Sequence, residues 1–317
     1  MRKTTRKTLF LFGQPIEHSV SPVFHNTLFK SLKLPWRYIR LDSQDAEDLA
    51  WFMRNADFVG AAVTMPNKTR VIPYLDTLTE DARRIGCVNT IYTREVTSNR
   101  EGGHSLVGTN TDWLGIKNAL WSHDPGLVHL LQERPAVVIG GGATSRSAIY
   151  ALTEGFGVKE VFLVNRDAEE VEVMIKDLKK RGMREALTHL ETMEDVSKRL
   201  HVCPAVIISA VPDMGPQTPL EQLARKIALT LIQMQDTDSG ITPGALLEMA
   251  YTPSPWTQLA KAASAAGWKI ITGIDVMELQ AIEQAALWTG VNIETLPYEE
   301  ARNAMRSAIL ARGKCKI

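Results

Sequence analysis

The feature that most narrows what this chain can fold into is AVVIGGGATSRSAIYAL, residues 136–152, where an apolar run ends in three glycines and opens directly into a helical pattern. A strand, a tight turn and a helix with G-x-G-x-x-small spacing form the phosphate-binding start of a βαβ unit. Gly140 permits the sharp turn. Gly142, lacking a Cβ, lets a pyrophosphate approach the backbone, and Ser145 keeps the helix close to the strand. Gly141, Ala143 and Thr144 complete a run of exposed amides at the positive end of the helix dipole. By itself such a turn is a weak signal that packing alone can account for. Its context strengthens it, because a second strand, KEVFLVNRD, ends some twenty-odd residues later at Asn165, Arg166 and Asp167. That is the place where a dinucleotide's adenosine ribose is read. An acidic residue there favours the free 2′-hydroxyl of NAD, and an arginine accommodates the 2′-phosphate of NADP. Both types stand here. Asp167 with Glu169 and Glu170 behind it tips the expectation toward NAD over NADP.

Strand-like and helical segments alternate along the rest of the chain, which predicts an α/β fold with a mainly parallel sheet. TLFLFG (8–13), WRYIRLD (36–42), FVGAAVTMP (58–66), AVIISAVP (205–212), GALLEMAYTP (244–253) and GWKIITG (267–273) read as strands. Residues 18–34, 44–55 and 168–182 carry helical periodicity. The polar stretch 94–106 reads as a surface loop, 122–135 as a break around a short helical piece, and the tail from Val276 to Arg312 as helical.

A length of 317 residues fits two domains. Lys plus Arg and Asp plus Glu both count 36, so no bulk charge draws the chain to nucleic acid or an anionic membrane. No stretch approaches the roughly 18 apolar residues of a membrane span, and the apolar part of the basic N-terminus is too short for a signal peptide. Cys87, Cys203 and Cys315 have neither disulfide-framework nor metal-ligand spacing. The expectation is a cytoplasmic protein with no metal, a small-molecule substrate, and a monomeric or homodimeric state.

Four polar clusters follow apolar stretches in the first half: HSVSP (18–22), VTMPNK (63–68), GCVNT (86–90) and GTNTD (108–112). Any one of them is most simply a turn or a helix cap. Together, at the ends of strands in an α/β sheet, they predict a polar ligand pocket.

The chain GQPIEHSVSPVFHN, GAAVTMPNK, IGCVNT, VGTNTDWLG, IGGGATSRSA and LQAIEQAALWTG, in that order, resembles the shikimate and quinate dehydrogenase family over nearly its whole length. VFLVNRDAEEV and LLEMAYTPSPWTQLAKAASAAGW are most similar to the fungal-type quinate enzymes. The resemblance implies an N-terminal α/β substrate domain over residues 1–116, completed by C-terminal helices over 275–317, plus a Rossmann-type doubly wound dinucleotide-binding domain over 117–274. It implies that Ser19 and Ser21 grip the substrate carboxylate, that Thr64, Asn89, Tyr251 and Gln280 contact substrate, and that Lys68 and Asp112 are catalytic. The chain departs from the family at Ala62, which removes a possible substrate hydrogen bond, and at Glu278, an acid on a helix that is usually apolar.

Removing hydride from a secondary alcohol carbon requires its O–H proton to leave, so a proton acceptor must lie within reach. An ordinary lysine titrates near ~10.4. Partial burial and a cationic nicotinamide lower that value, and a neighbouring Asp112 raises it. Lys68 is the expected proton shuttle and Asp112 its orienting partner; read blandly, they are an exposed loop lysine and a helix N-cap. His18 and His25 are expected to be structural. The expected reaction is oxidation or reduction of a ring hydroxyl of quinate, ahead of shikimate. The alternatives are a related cyclic polyol acid and a catalytically silent ligand sensor, since fungal quinate regulators resemble the same family. A hydrolase lacks its G-x-S-x-G elbow.

Overall fold

Alternation in the sequence becomes two six-stranded sheets in the computed structural model, which describes residues 6–55, 57–96, 103–234 and 244–314. The chain divides into two units, Met1–Thr111 with Gln280–Ile317, and Asp112–Leu279.

The first unit begins with β1 (Lys7–Gly13), α1 (Ser21–Ser31), β2 (Trp36–Asp42), α2 (Ala46–Met53) and β3 (Phe58–Val63). It continues through β4 (Thr77–Leu78), α3 (Glu80–Ile85), β5 (Thr90–Val96) and β6 (Gly103–Thr109). The strand order is β2-β1-β3-β5-β6-β4. β1 pairs in parallel with β2 and β3, whereas β5 runs antiparallel to both β3 and β6. The surface loop expected over 94–106 is therefore corrected. Arg94 pairs with Ser105 and Glu95 with His104, so both flanks of that stretch are strand, and 97–102 lie outside the described residues. The composition misled because Arg94 and Glu95 are exposed, and a hairpin's backbone ladder asks for no apolar side chains.

The second unit contains α4 (Asp112–His123), α5 (Leu127–Glu133), β7 (Ala136–Ile139), α6 (Ala143–Tyr150), β8 (Glu160–Val164), α7 (Ala168–Lys180) and β9 (Ala186–His189). It continues with α8 (Met193–Arg199), β10 (Val206–Ser209), α9 (Pro219–Gln233), β11 (Ala245–Glu248), α10 (Gln258–Ala265) and β12 (Lys269–Thr272). Its sheet is wholly parallel in the order β12-β11-β10-β7-β8-β9. Successive residues serve opposite faces. Ala136 and Val138 join a core with Val161, Leu163, Val206 and Ile208, while Val137 and Ile139 join another with Phe162, Val164 and Ile207. Both faces are covered by helices, which is why these strands read as continuous apolar runs. Local signals set the helix starts. In α9, Thr218 and Glu221 form a reciprocal capping box around Pro219, and the Asp167 side chain accepts from the Glu170 amide at 3.0 Å to open α7.

The helical tail expected from Val276 to Arg312 is two helices, α11 (Gly273–Thr289) and α12 (Glu299–Lys314). Gly290, at a left-handed φ of +69°, ends α11. In the first unit α12 packs along α1, and Ser31 donates to Glu300 at 2.9 Å. Among the described residues no helix is long and apolar enough to cross a membrane.

On one face of the first sheet, Leu9, Leu11, Tyr38 and Ala62 pack with Phe29 and Trp288. His25 is fully buried here, 4.5 Å from the Tyr38 ring and 4.9 Å from that of Trp288, and its ring nitrogens have no hydrogen-bond partner. Burial pulls its pKa down to about 3. The folded state therefore keeps His25 neutral while the unfolded chain takes up a proton below its ordinary value near ~6.5. Because the unfolded state binds more protons between those values, stability falls as pH drops from about 6.5 toward 3, by up to ~1.4 kcal/mol per pH unit. Urea midpoints of the protein and of His25→Leu, compared at pH 7 and pH 4.5, should show a shallower acid loss in the variant. Parallel profiles would rule out this source.

Candidate active site

Strand direction brings the four polar clusters of the first unit to one end of its sheet. β1 and β3 end there, as Phe12 lies beside Val63. The antiparallel β5 starts there, since Ala62 pairs with Thr90, and β6 ends there, since Thr90 pairs with Thr109. Backbone bonds lock the turns together. The Val63 amide donates to the Asn89 carbonyl at 2.7 Å, the Thr64 amide to Phe12 at 2.8 Å, and the Val88 amide to the Lys68 carbonyl at 2.7 Å.

Asn89 is the centre of this end. It is 3% exposed, and its Oδ1 accepts from the Thr111 amide at 2.7 Å and from the Thr90 hydroxyl at 2.8 Å. Its Nδ2 donates to Gln280 Oε1 at 3.2 Å and to Thr111 Oγ1 at 3.0 Å. Gln284, one turn beyond Gln280 on α11, donates to the Thr90 hydroxyl at 2.9 Å. Ser19 and Ser21 stand at the start of α1, their hydroxyls 3.2 Å apart, where backbone amides and the helix dipole favour an anion. Thr64 and Lys68 are half-buried in the turn after β3, which the buried Asn67 braces by donating to the Ser43 carbonyl at 2.8 Å. Ala62 lies buried within β3.

In the second unit the turn after β7 sits between β7 and β10, where the strand order reverses direction. In an open parallel sheet that is where a ligand binds. Gly140 takes a φ of +125°, and its amide donates to Val164 at 2.8 Å. A Cβ on Gly141 would meet Asn165 Nδ2 and Glu170 Oε2, each at 2.6 Å, so a larger residue there would have to displace those side chains. A Cβ on Gly142 would meet no atom within 4 Å, so the space over this turn is open to a phosphate. Ala143 and Thr144 start α6, and the Ser145 hydroxyl, fully buried beneath the turn, has no hydrogen-bond partner. These residues fit a dinucleotide pyrophosphate.

Beyond the turn lies a cavity of about 460 Å³, lined by Asn165, Arg166, Asp167, Glu191, Thr192 and Glu221 among others. Asn165 donates to Glu170 at 2.7 Å, and the Arg166 guanidinium pairs with Glu221. Asp112 is the first residue of α4, so its carboxylate lies within that helix's first turn and Thr111 precedes the helix. Tyr251 is half-buried just after β11. Glu278 is 3% exposed on α11.

Sequence reasoning passed over Gln284, Glu221 and Glu248. Gln284 had a signal, since LQAIEQ places two glutamines four apart on one helix face. Glu221 had none beyond its capping-box spacing from Thr218, because its partner Arg166 is distant in sequence. Glu248 ends β11, and burial pushes its carboxyl up from the usual range. It accepts from the Thr257 hydroxyl at 2.6 Å and the Ala250 amide at 3.1 Å, which anchors the segment carrying Tyr251.

Comparison with known proteins adds to this geometry. Residues 11–91 match the family described as the shikimate dehydrogenase substrate binding domain. A quinate dehydrogenase of Emericella nidulans is 35% identical over 320 residues, covering 97% of this chain and 96% of that protein. Among solved structures, the dehydroquinate dehydratase and shikimate dehydrogenase from the AroM protein of S. pombe is 28% identical, with a TM-score of 0.72 over 95% of this chain. This chain spans only 53% of that one's length. A shikimate dehydrogenase determined with NADP+ is 26% identical, with a TM-score of 0.68 over 96% of each chain.

Proposed function

This chain belongs to the shikimate and quinate dehydrogenase family, and from that premise we propose that it interconverts a ring hydroxyl and ketone on quinate, with shikimate as the second substrate. The first unit holds the substrate and the second the nicotinamide cofactor. The observation that carries the reading is the Asn89, Thr90, Thr111, Gln280 and Gln284 hydrogen-bonded group, a buried polar surface built from three separate segments at the end of the first sheet where β1, β3 and β6 finish. Buried polar groups of this density are costly unless mutually satisfied, and Asn89 and Gln280 can exchange part of that bonding with the hydroxyls of a polyol.

When bound, the cofactor supplies the hydride chemistry. This chain's residues do the rest. Ser19 and Ser21 receive the substrate carboxylate at the start of α1. Thr64, Asn89, Tyr251 and Gln280 orient the ring through its hydroxyls. Lys68 takes the hydroxyl proton on Nζ, and Asp112 fixes the direction of that ammonium. Gly140 to Ser145 cradle the pyrophosphate, and Asn165, Arg166 and Asp167 face the adenosine ribose. The buried thiols of Cys87 and Cys203 accord with a reducing, cytoplasmic setting.

Initial rates at 340 nm with quinate and shikimate, each with NAD and NADP, test the whole reading. Turnover of quinate is expected to exceed that of shikimate, and absence of turnover with both acids would leave the ligand sensor in its place. The kcat/KM with NAD is expected to exceed that with NADP by at least about tenfold, a discrimination that needs only ~1.4 kcal/mol. A preference for NADP would remove the role given to Asp167.

A further inference from the structure

The second-strand end carries an arginine suited to a 2′-phosphate, yet that arginine is already engaged. The Arg166 guanidinium reaches across to the start of α9 and pairs with Glu221, whose side chain is 19% exposed against 62% for Arg166. Glu221 cannot easily turn away. Its Oε2 accepts from the Gln217 amide at 2.7 Å and the Thr218 amide at 2.9 Å, and the Thr218 hydroxyl accepts in turn from the Glu221 amide at 3.2 Å. The capping box thus fixes one carboxylate oxygen to the backbone and leaves the other toward Arg166. Both residues line the same cavity, together with the carboxylates of Asp167 and Glu191. Three acids therefore face one base in the space expected to hold the adenosine end of the cofactor.

We propose that Glu221 is a specificity-determining residue for the cofactor, holding Arg166 in an ion pair so that its guanidinium is withheld from a ribose 2′-phosphate. The inference rests on the reading of this cavity as the adenosine site. Asp167 and Glu221 act differently. Asp167 caps α7 and faces the ribose with negative charge, whereas Glu221 acts by occupying the base that would otherwise bind the phosphate. A 2′-phosphate entering the cavity would have to displace a carboxylate that is pre-positioned by two backbone amides, which is a repulsive element as well as a competitor. An unphosphorylated ribose asks for no such exchange.

The test uses the full chain and two adenosine probes, 5′-ADP and 2′,5′-ADP, with dissociation constants measured by calorimetry. Glu221→Gln keeps an amide oxygen for the Gln217 and Thr218 amides, so the start of α9 is retained, while the charge that holds Arg166 is lost. The affinity ratio of 2′,5′-ADP over 5′-ADP is expected to rise at least tenfold in Glu221→Gln. It should return to near the parental ratio in the double variant Glu221→Gln/Arg166→Ala. An unchanged ratio in Glu221→Gln overturns the proposal. So does a gain that survives removal of Arg166, because Glu221 would then act by repulsion alone. Failure of the parent protein to bind either probe or NAD would instead overturn the reading of the cavity as a cofactor site, and this inference with it.

Discussion

Lys68→Ala is expected to lower kcat by about 10²-fold or more, within the ~10²–10⁴ that a positioned proton acceptor contributes, while KM changes by no more than a few-fold. The selectivity of that effect follows from where the residue stands. Its backbone carbonyl, which the substitution leaves in place, accepts from Val88 at 2.7 Å, and the buried Asn67 braces the same turn by donating to the Ser43 carbonyl at 2.8 Å. A loss of activity with an unchanged melt therefore reports on the ammonium and not on the turn. Steady-state kinetics with quinate and NAD, alongside a thermal melt matching the parent, provide the check. A kcat near that of the parent would remove Lys68 from the mechanism. A rise in KM at constant kcat would reassign it to substrate binding.

Trp288→Ala is expected to cost about 3–5 kcal/mol, the usual range for deleting a large buried aromatic. Trp288 is 5% exposed, packs against the rings of His25 and Tyr38, and donates from Nε1 to the Ile91 carbonyl at 2.9 Å. It seats on the sheet at Gly60, where a Cβ would overlap its indole. Truncation therefore opens a cavity and removes a hydrogen bond to a backbone carbonyl in the same step. The same helix carries Gln280 and Gln284 into the polar group around Asn89, so weakened substrate binding should accompany the lower stability. For a unit of this size the melting temperature should drop by roughly 6–20 °C. A melt within one or two degrees of the parent would show that α11 is held to the sheet by other contacts.

Many of the candidate residues stand out in the sequence alone. The glycine turn is readable because such a turn depends on local backbone: a strand end, residues without Cβ, and a helix start must be consecutive. Asn165, Arg166 and Asp167 could be located from it by counting along one βαβ unit. The four polar clusters were visible as turns, although spacing alone could not say that they share one end of a sheet. β5 runs antiparallel to its neighbours, and that reversal is what brings Asn89 at its start beside the ends of β1, β3 and β6. Its partner strand was hidden within a polar stretch that looked like loop.

What the sequence determined by itself were the properties carried by neighbours along the chain: the alternating elements, the capping boxes, the glycine turn and the family resemblance. What only the tertiary structure decided were the pairings between residues far apart. Arg166 with Glu221, Asn89 with Gln280, and Trp288 with Ile91 are separated by 55, 191 and 197 positions. Such pairs leave no periodic trace, because a side chain's distant partner is chosen by how helices and strands stack rather than by their order. They fix which polar groups meet one another, and it is there that the buried polar group around Asn89 arises.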